Sequence, residues 1–227
     1  EALSVQNVPL CPGRSACSLT VHCGEILGIA GVDGNGQLEL EKIIMGILQP
    51  KEGRLFLKGK EITGMPTIDR KMAGIVYIPS DRFDLAMLPN QSLSKNFLLG
   101  NHERGKFTHR GLIDWEALEH YSEQIIQEYN VKASSTGQTI KTLSGGNQQK
   151  AILGREISQQ PCLILAAHPT RGLDIGAIEF VHKVLLQKRS EGCAILLISA
   201  ELSEIMALSD RIAVMYEGEI VANDLAR

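Results

Sequence analysis

The 227-residue sequence predicts an α/β fold with an antiparallel β layer at its N-terminus and a smaller helical lobe, and three observations carry that prediction. The apolar run Glu25-Ile26-Leu27-Gly28-Ile29-Ala30 is short enough for a buried parallel strand, and it passes through a glycine loop into a helical pattern that lasts to Gly46. Gly74–Ile78, Pro161–Ala166 and Ala194–Ser199 are further short apolar runs that read as buried strands. From Leu93 to about Asn130 the strand signals give way to helical spacing. A chain of this length sits at the upper end of what one hydrophobic core supports, which is the reason to expect a lobe beside the core. We expect one domain over 1–227, with the helical lobe at about 90–158 inserted in the α/β core.

Composition narrows the partners. The net charge of −3, with both signs interspersed, gives no broad basic surface and argues against direct contact with nucleic acid. The longest apolar run, Cys193–Ala200 broken only by Ser199, is far too short to cross a bilayer, and no secretory signal is visible. Five cysteines, an odd number, fit a reducing compartment. Cys11, Cys17 and Cys23 are evenly spaced, but Pro12-Gly13 puts a turn among them and no neighbouring His gives zinc-like spacing. We expect no metal site there, only small half-buried residues of a hairpin. The first residue is Glu1 rather than methionine, and we expect the sequence to be a piece of a longer chain.

In chain order, Leu3–Val8 and Ala16–His22 read as two antiparallel strands joined through Pro12-Gly13-Arg14. After the strand at 25–30 comes Gly31-Val32-Asp33-Gly34-Asn35-Gly36, which matches the G-x-x-x-x-G spacing that lets successive N–H groups curl around a phosphate. That motif continues with Lys and then Ser or Thr; here the two positions hold Gln37 and Leu38. An amide carries no charge toward a phosphate, and a leucine cannot ligate magnesium. A dinucleotide fingerprint fails, because no third glycine follows Gly34-Asn35-Gly36. Arg54–Lys58 with the turn Gly59-Lys60 reads as β, Pro66–Met72 as a short helix started by its proline, and the strand ending at Ile78 runs into Pro79-Ser80-Asp81-Arg82. Asp114 is a candidate N-cap, and Leu118, Tyr121, Ile125 and Tyr129 recur near helical spacing, which accounts for the two tyrosines as packing rather than base-stacking residues.

The stretch Leu143-Ser144-Gly145-Gly146-Asn147-Gln148-Gln149-Lys150 places two glycines behind a small hydroxyl residue at the head of a helix. Such an end presents free N–H groups and attracts anions, phosphate above all. Beyond it, Pro161–Ala166 runs into Ala167-His168-Pro169-Thr170-Arg171-Gly172-Leu173-Asp174. A helix from about Ala177 to Ser190, the strand 194–199, a short amphipathic helix marked by Leu202, Ile205 and Met206, and the strand Asp210–Tyr216 with a turn at Gly218 complete the chain.

LSGGNQQK resembles the signature motif of ABC-type ATPases, in the variant found in sugar and nucleoside importers. Together with Pro-Thr-Arg-Gly-Leu-Asp and Ser-Asp-Arg-Ile-Ala-Val-Met in this order, it extends the resemblance over nearly the whole chain. The similarity is to the second ATPase half of tandem importers for nucleosides or simple sugars. It implies a P-loop NTPase-like core, with Gly31, Val32, Asp33, Gly34, Asn35, Gly36, Gln37 and Leu38 as the nucleotide-binding loop. Leu143, Ser144, Gly145, Gly146, Asn147 and Gln148 then act on ATP held by a partner half. Gly172, Leu173 and Asp174 match the loop that crosses to the partner, with Asp174 as its polar contact. Ser80, Asp81 and Arg82 match the loop that senses the γ-phosphate and touches the permease, although importers carry Glu where Ser80 stands.

The resemblance also marks what is absent. Where the family has a magnesium-holding Asp and a water-polarising Glu, this sequence has Ala167 and His168, and Ala200 replaces the histidine that contacts the γ-phosphate. The family's opening layer stacks adenine on an aromatic ring, but residues 1–22 include none. His168 can accept a proton near pH 7, yet a base beside a site without the Lys, the hydroxyl ligand and the carboxylate has no oriented phosphate to act on. It reads as a histidine filling an abandoned position. The expected cofactors are ATP and Mg²⁺ in the assembled transporter, with weak or no binding in this half's own site and no metal ligand of its own. The expected partners are a second ATPase half in the same polypeptide, a transmembrane permease and, indirectly, a substrate-binding protein, at the cytoplasmic face of the membrane. Two other readings remain open: a structural or regulatory module that hydrolyses nothing, and a soluble ABC protein working on nucleic acid or ribosomes.

Overall fold

The computed structural model describes residues 1–101, 105–109 and 111–225. The chain forms two compact units, one of residues 1–77, 161–169 and 182–227, the other of residues 78–160 and 170–181.

The first unit has two sheets. β1 (Leu3–Val8) pairs antiparallel with β2 (Cys17–Val21), and after β3 (Ile26–Ala30) and helix α1 (Gln37–Met45), β4 (Arg54–Leu57) pairs with the other edge of β1 and β5 (Lys60–Glu61) follows. This is the antiparallel layer expected from the opening residues. Along β2 the burial alternates, with Cys17, Leu19 and Val21 inward, as a strand with one wet face requires. Cys17 is therefore a core residue, and burial pushes its thiol up to about 12, while Cys23 is exposed, so the even spacing of the first three cysteines does not mark one environment.

After α2 (Thr67–Met72) and β6 (Ile75–Ile78), the larger sheet is completed by β9 (Leu163–Ala167), β10 (Ala194–Ser199), β11 (Arg211–Tyr216) and β12 (Glu219–Leu225), in the order β12-β11-β3-β10-β9-β6. β3 runs parallel to both β10 and β11, with Ala30 opposite Ser199 and Val214, so the C-terminal ends of the central strands lie side by side. β9 and β10 are buried along their whole length, which is why their sequences read as unbroken apolar runs. The core joins Leu27 and Ile29 of β3 to Leu40, Ile43 and Ile44 of α1 and to Val5, Leu19 and Leu55 of the antiparallel layer.

A charged residue is buried in this unit. Arg70 of α2 is fully buried, and its guanidinium donates to the carbonyls of Met65, Thr63, Ile43 and Ile44 at 2.8, 2.7, 2.5 and 2.9 Å. It satisfies carbonyls in the last turn of α1, the end of a helix that favours positive charge.

The second unit is mainly helical. The helices expected from Leu93 to about Asn130 are α3 (Leu93–Leu98) and α4 (Trp115–Glu128), but between them lies a two-stranded hairpin that was not expected, β7 (Thr108–His109) with β8 (Leu112–Ile113). Gly100, Gly105 and Gly111 take φ of +75°, +69° and +82°, turn conformations that end a helix. Of that stretch, residues 102–104 and 110 lie outside the described residues. Asp114 caps α4 as expected, accepting from the Ala117 N–H at 3.0 Å. Leu118, Tyr121, Ile125 and Tyr129 are buried, so both tyrosines pack. α5 (Gly145–Ile157) lies so close to α4 that a Cβ on Gly154 would stand 2.5 Å from Ile125 Cγ2. α6 (Ile175–Ser190) starts two residues before the expected Ala177, because Asp174 supplies its first cap, and α7 (Leu202–Leu208) is the short amphipathic helix of the first unit.

Candidate functional site

The glycine loop leaves the C-terminal end of β3 and enters α1, beside an open cleft of about 410 Å³ lined by Ala30, Gly31, Val32, Asp33, Ala200 and Leu202. Clefts outside the carboxyl ends of parallel strands are where α/β sheets bind ligands. The conformation of the loop depends on its glycines: Gly34 and Gly36 have φ of +91° and +103°, and a Cβ on Gly36 would meet Gly218 Cα at 3.1 Å and Leu10 Cβ at 3.2 Å.

Inside the loop, Gln37 is buried and turned inward. Its Oε1 accepts the Asn35 N–H at 2.9 Å, and its Nε2 donates to the Val32 carbonyl at 3.1 Å. An uncharged amide at this position could still donate toward a phosphate, but the structure gives both ends of it to the loop's own backbone. Asn35 is braced on every side. Its Nδ2 donates to the Val32 carbonyl at 2.9 Å, its Oδ1 accepts the Glu217 N–H at 2.9 Å, and its carbonyl accepts the Gly218 N–H at 2.8 Å. The turn at Glu217-Gly218 is in turn held to the opening layer through Arg14, which pairs with Glu217 at 2.5 Å, and Glu219, which accepts the Ser15 N–H at 2.9 Å. Nothing in the spacing of residues 217–219 announces this role. Leu38, where the phosphate-loop motif carries a hydroxyl, is 45% exposed and offers no ligand atom.

His168, at the end of β9, has φ of +45°, a conformation uncommon for a non-glycine residue. Its N–H donates to the Ile198 carbonyl at 2.7 Å, its Nδ1 accepts the Ala200 N–H at 3.4 Å, and its Nε2 stands 3.5 Å from Asp33 Oδ1. A backbone N–H can only donate, so Nδ1 spends its lone pair on Ala200, and in the neutral ring the proton sits on Nε2, facing Asp33. Thus His168, Ala200 and the loop residue Asp33 come together in the first unit, while Ala167 adds only a buried methyl.

A separate group forms in the second unit. Ser144 caps α5, its Oγ accepting the Asn147 N–H at 3.4 Å and Asn147 Nδ2 at 2.9 Å, which leaves its own O–H free to donate. Asn147 Oδ1 accepts the Lys132 N–H at 2.8 Å, and buried Gln148 donates to the carbonyls of Leu143 at 3.1 Å and Ile140 at 3.4 Å, so these side chains fix the approach to the helix. Gly146 has to be glycine for packing, since a Cβ there would stand 2.8 Å from Ala177 Cβ and 3.2 Å from Asp174 Oδ2. Gly172 turns the 170–174 loop with φ of +70°, and Leu173 N–H bonds back to Thr170 at 3.1 Å. Asp174 Oδ1 accepts the Ala177 N–H at 2.9 Å, so the carboxylate read as an outward contact also has a local task. Asp81 likewise accepts the Phe83 and Asp84 N–H groups at 2.9 and 3.0 Å, capping a single π-helical turn over Arg82–Ala86 that follows Ser80.

The family described as ABC transporter matches residues 15–171. Guanosine import ATP-binding protein NupO of Bacillus subtilis (strain 168) is 45% identical over 206 residues, covering 91% of this chain and 40% of that protein. Nucleoside import ATP-binding protein NupA of Lactococcus lactis subsp. cremoris (strain MG1363) is 40% identical, covering 89% and 40%, and arabinose import ATP-binding protein AraG of Yersinia pestis is 40% identical, covering 97% and 42%. The chain spans about two fifths of the length of these curated relatives. The fold is that of the ATP-binding cassette MJ0796, solved as a dimer in a post-hydrolysis state bound to ADP and Pi, with TM-score 0.83 at 18% identity over 99% of each chain. With the glycine loop, the LSGGNQQK helix and the family match agreeing, the chain belongs to the ABC transporter family.

Proposed function

We propose that this chain is a nucleotide-binding domain of an importer for nucleosides or simple sugars, whose own ATP site is closed and whose signature helix completes the ATP site of a partner half. The observation that carries this reading is the contrast between the two loops: Gln37 fills the phosphate cradle from within, whereas Ser144, Gly145 and Gly146 keep a helix end and a hydroxyl available. A magnesium nucleotide fits the first poorly. Leu38 and Ala167 have no ligand atoms for the metal, the Asn35 N–H already has an acceptor, and both ring nitrogens of His168 are engaged. The second suits the γ-phosphate of ATP presented by another half, because helix N–H groups and a serine O–H stabilise charge as phosphoryl transfer proceeds.

The partner half belongs to the same polypeptide in this reading, which the greater length of the relatives supports. ATP and Mg²⁺ are held by that half, and Gly172, Leu173 and Asp174 cross to it. Ser80, Asp81 and Arg82 lie in the loop that meets the transmembrane permease, so the domain sits at the cytoplasmic face of the membrane and works indirectly with a substrate-binding protein. Nucleic acid is not a partner. Among the described residues no helix is long and apolar enough to cross a membrane. The two compact units are the α/β core and the helical lobe of one domain over 1–227.

The test is the number of magnesium nucleotides retained per full-length polypeptide, assembled with its permease and stalled with a phosphate transition-state mimic. One per two ATPase halves is expected. Two would overturn the assignment of a closed site to this half.

A further inference from the structure

Arg82 belongs to the loop matched to the permease contact, and its side chain lies beside the signature helix. It opens the π-helical turn in the second unit, half-buried, and a Cβ on Gly145 would lie 3.4 Å from its Nη2. Its Nη1 donates to the Arg171 carbonyl at 3.3 Å, and among the described residues no carboxylate pairs with it. Asp81, next to it in sequence, acts on it electrostatically, but its Oδ1 accepts the N–H groups of Phe83 and Asp84, and Asp174 Oδ1 accepts the N–H of Ala177. A guanidinium has five N–H donors in a rigid fork suited to phosphate oxygens. Here one of the five has an acceptor, and the fork rests on the first glycine of the signature helix. A side chain at 145 would press on it, so the glycine admits the cation as well as the ligand.

We propose that Arg82 is a catalytic residue supplied in trans, donating to the γ-phosphate of the ATP that the partner half presents to Ser144, Gly145 and Gly146. The inference rests on the reading given under Proposed function. In the reaction, water attacks the γ-phosphorus and the bond to the β–γ bridging oxygen breaks, with ADP taking the electron pair. The proton of the water passes to the partner half's base. Arg82 forms and breaks no bond; its charge meets the negative charge spread over the equatorial oxygens, the task of arginine fingers in other phosphoryl-transfer enzymes. The Arg171 carbonyl orients the fork, which couples the 170–174 loop to the same phosphate.

The experiment is steady-state ATPase and transport by the full chain with its permease, for Arg82→Ala, Arg82→Lys and Gly145→Asp. Arg82→Ala is expected to lower kcat by about 100-fold or more with a much smaller change in KM, and transport to fall in the same proportion. Arg82→Lys keeps charge without the fork and recovers part of the loss. Millimolar guanidinium ion restores turnover to Arg82→Ala and not to the parent, a response that a misfolded or merely structural variant does not give. A kcat within twofold of the parent in Arg82→Ala, with Gly145→Asp inactive, overturns the role of Arg82 and leaves the signature reading standing. Loss of transport with ATPase retained also overturns it, because that pattern belongs to a permease contact. An active Gly145→Asp would instead remove the reading on which the inference rests.

Discussion

Replacing Gln37 by alanine should open the phosphate cradle of the isolated domain. In the parent, an incoming phosphate has to displace the Gln37 amide from the Asn35 N–H at 2.9 Å and from the Val32 carbonyl at 3.1 Å. A neutral hydrogen bond contributes about 0.5–1.5 kcal/mol net, so the two together oppose ligand entry by about 2 kcal/mol. A factor of ten corresponds to about 1.4 kcal/mol, so Gln37→Ala should bind pyrophosphate or ATP about 10- to 30-fold more tightly than the parent. The Val32 carbonyl still accepts Asn35 Nδ2, and Asn35 remains pinned by Glu217 and Gly218, so the loop keeps its shape. Without ligand the variant should lose about 1–2 kcal/mol of stability, since the Asn35 N–H no longer has an acceptor and a small void replaces the amide. Isothermal titration calorimetry on the purified domain, with a urea melt alongside, measures both. Equal or weaker binding by Gln37→Ala in a folded protein would refute the idea that the side chain competes with phosphate.

Restoring Gln37→Lys and Leu38→Ser together should raise nucleotide binding well before rate, because Ala167 and His168 still supply no metal carboxylate and no general base; turnover matching an intact half, read by phosphate release, would contradict that. Arg70→Met should destabilise the domain by about 3 kcal/mol, as four carbonyls lose a charged donor, and a thermal melt within about 1 °C of the parent would show the contacts to be dispensable. Glu41, buried on α1 with Tyr77 O–H donating to it at 2.7 Å, has its carboxyl pushed above the usual 4.5 chiefly by burial. A group raised in the folded state favours folding fully only below its unfolded pKa, and that contribution is lost as pH rises through the folded value. Glu41→Gln keeps the hydrogen bond and cannot ionise, so it should melt at or above the parent at pH 7 with the difference closing toward pH 4; a lower melting temperature at pH 7 reverses the sign and refutes it.

The elements most open to reading from sequence were those with one dominant signal. β3, β9 and β10 are buried on both faces, so their residues are nearly all apolar, and β10 falls on Ala194–Ser199 as expected. The Asp114 cap and the buried face of α4 follow from local rules. The small hairpin at 108–113 was lost because two-residue strands carry no period, and only glycines with positive φ mark it. At the candidate site, the departures at Gln37, Leu38 and Ala167 were legible as missing chemistry. What Gln37 does instead was not, because its bonds to Asn35 and Val32 depend on the backbone path of the loop. The bracing of Asn35 by Glu217 joins residues 182 apart in sequence, and Arg82 reaches Arg171 across 89, separations at which a single sequence has no pairing signal.

The central claim is asymmetry: this half gives its signature helix to a partner's ATP while its own cradle stays closed. Gly145→Asp and Gln37→Ala, compared in one full-length protein assembled with its permease, test it directly through ATPase rate. Gly145→Asp blocks the approach of the phosphate and repels it, so turnover should fall by orders of magnitude, about 100-fold or more. Gln37→Ala should leave turnover within about twofold, because no lysine-dependent chemistry resides there. Equal loss from both would make the Gln37 loop a catalytic site, and full activity in Gly145→Asp would reduce this domain to a scaffold.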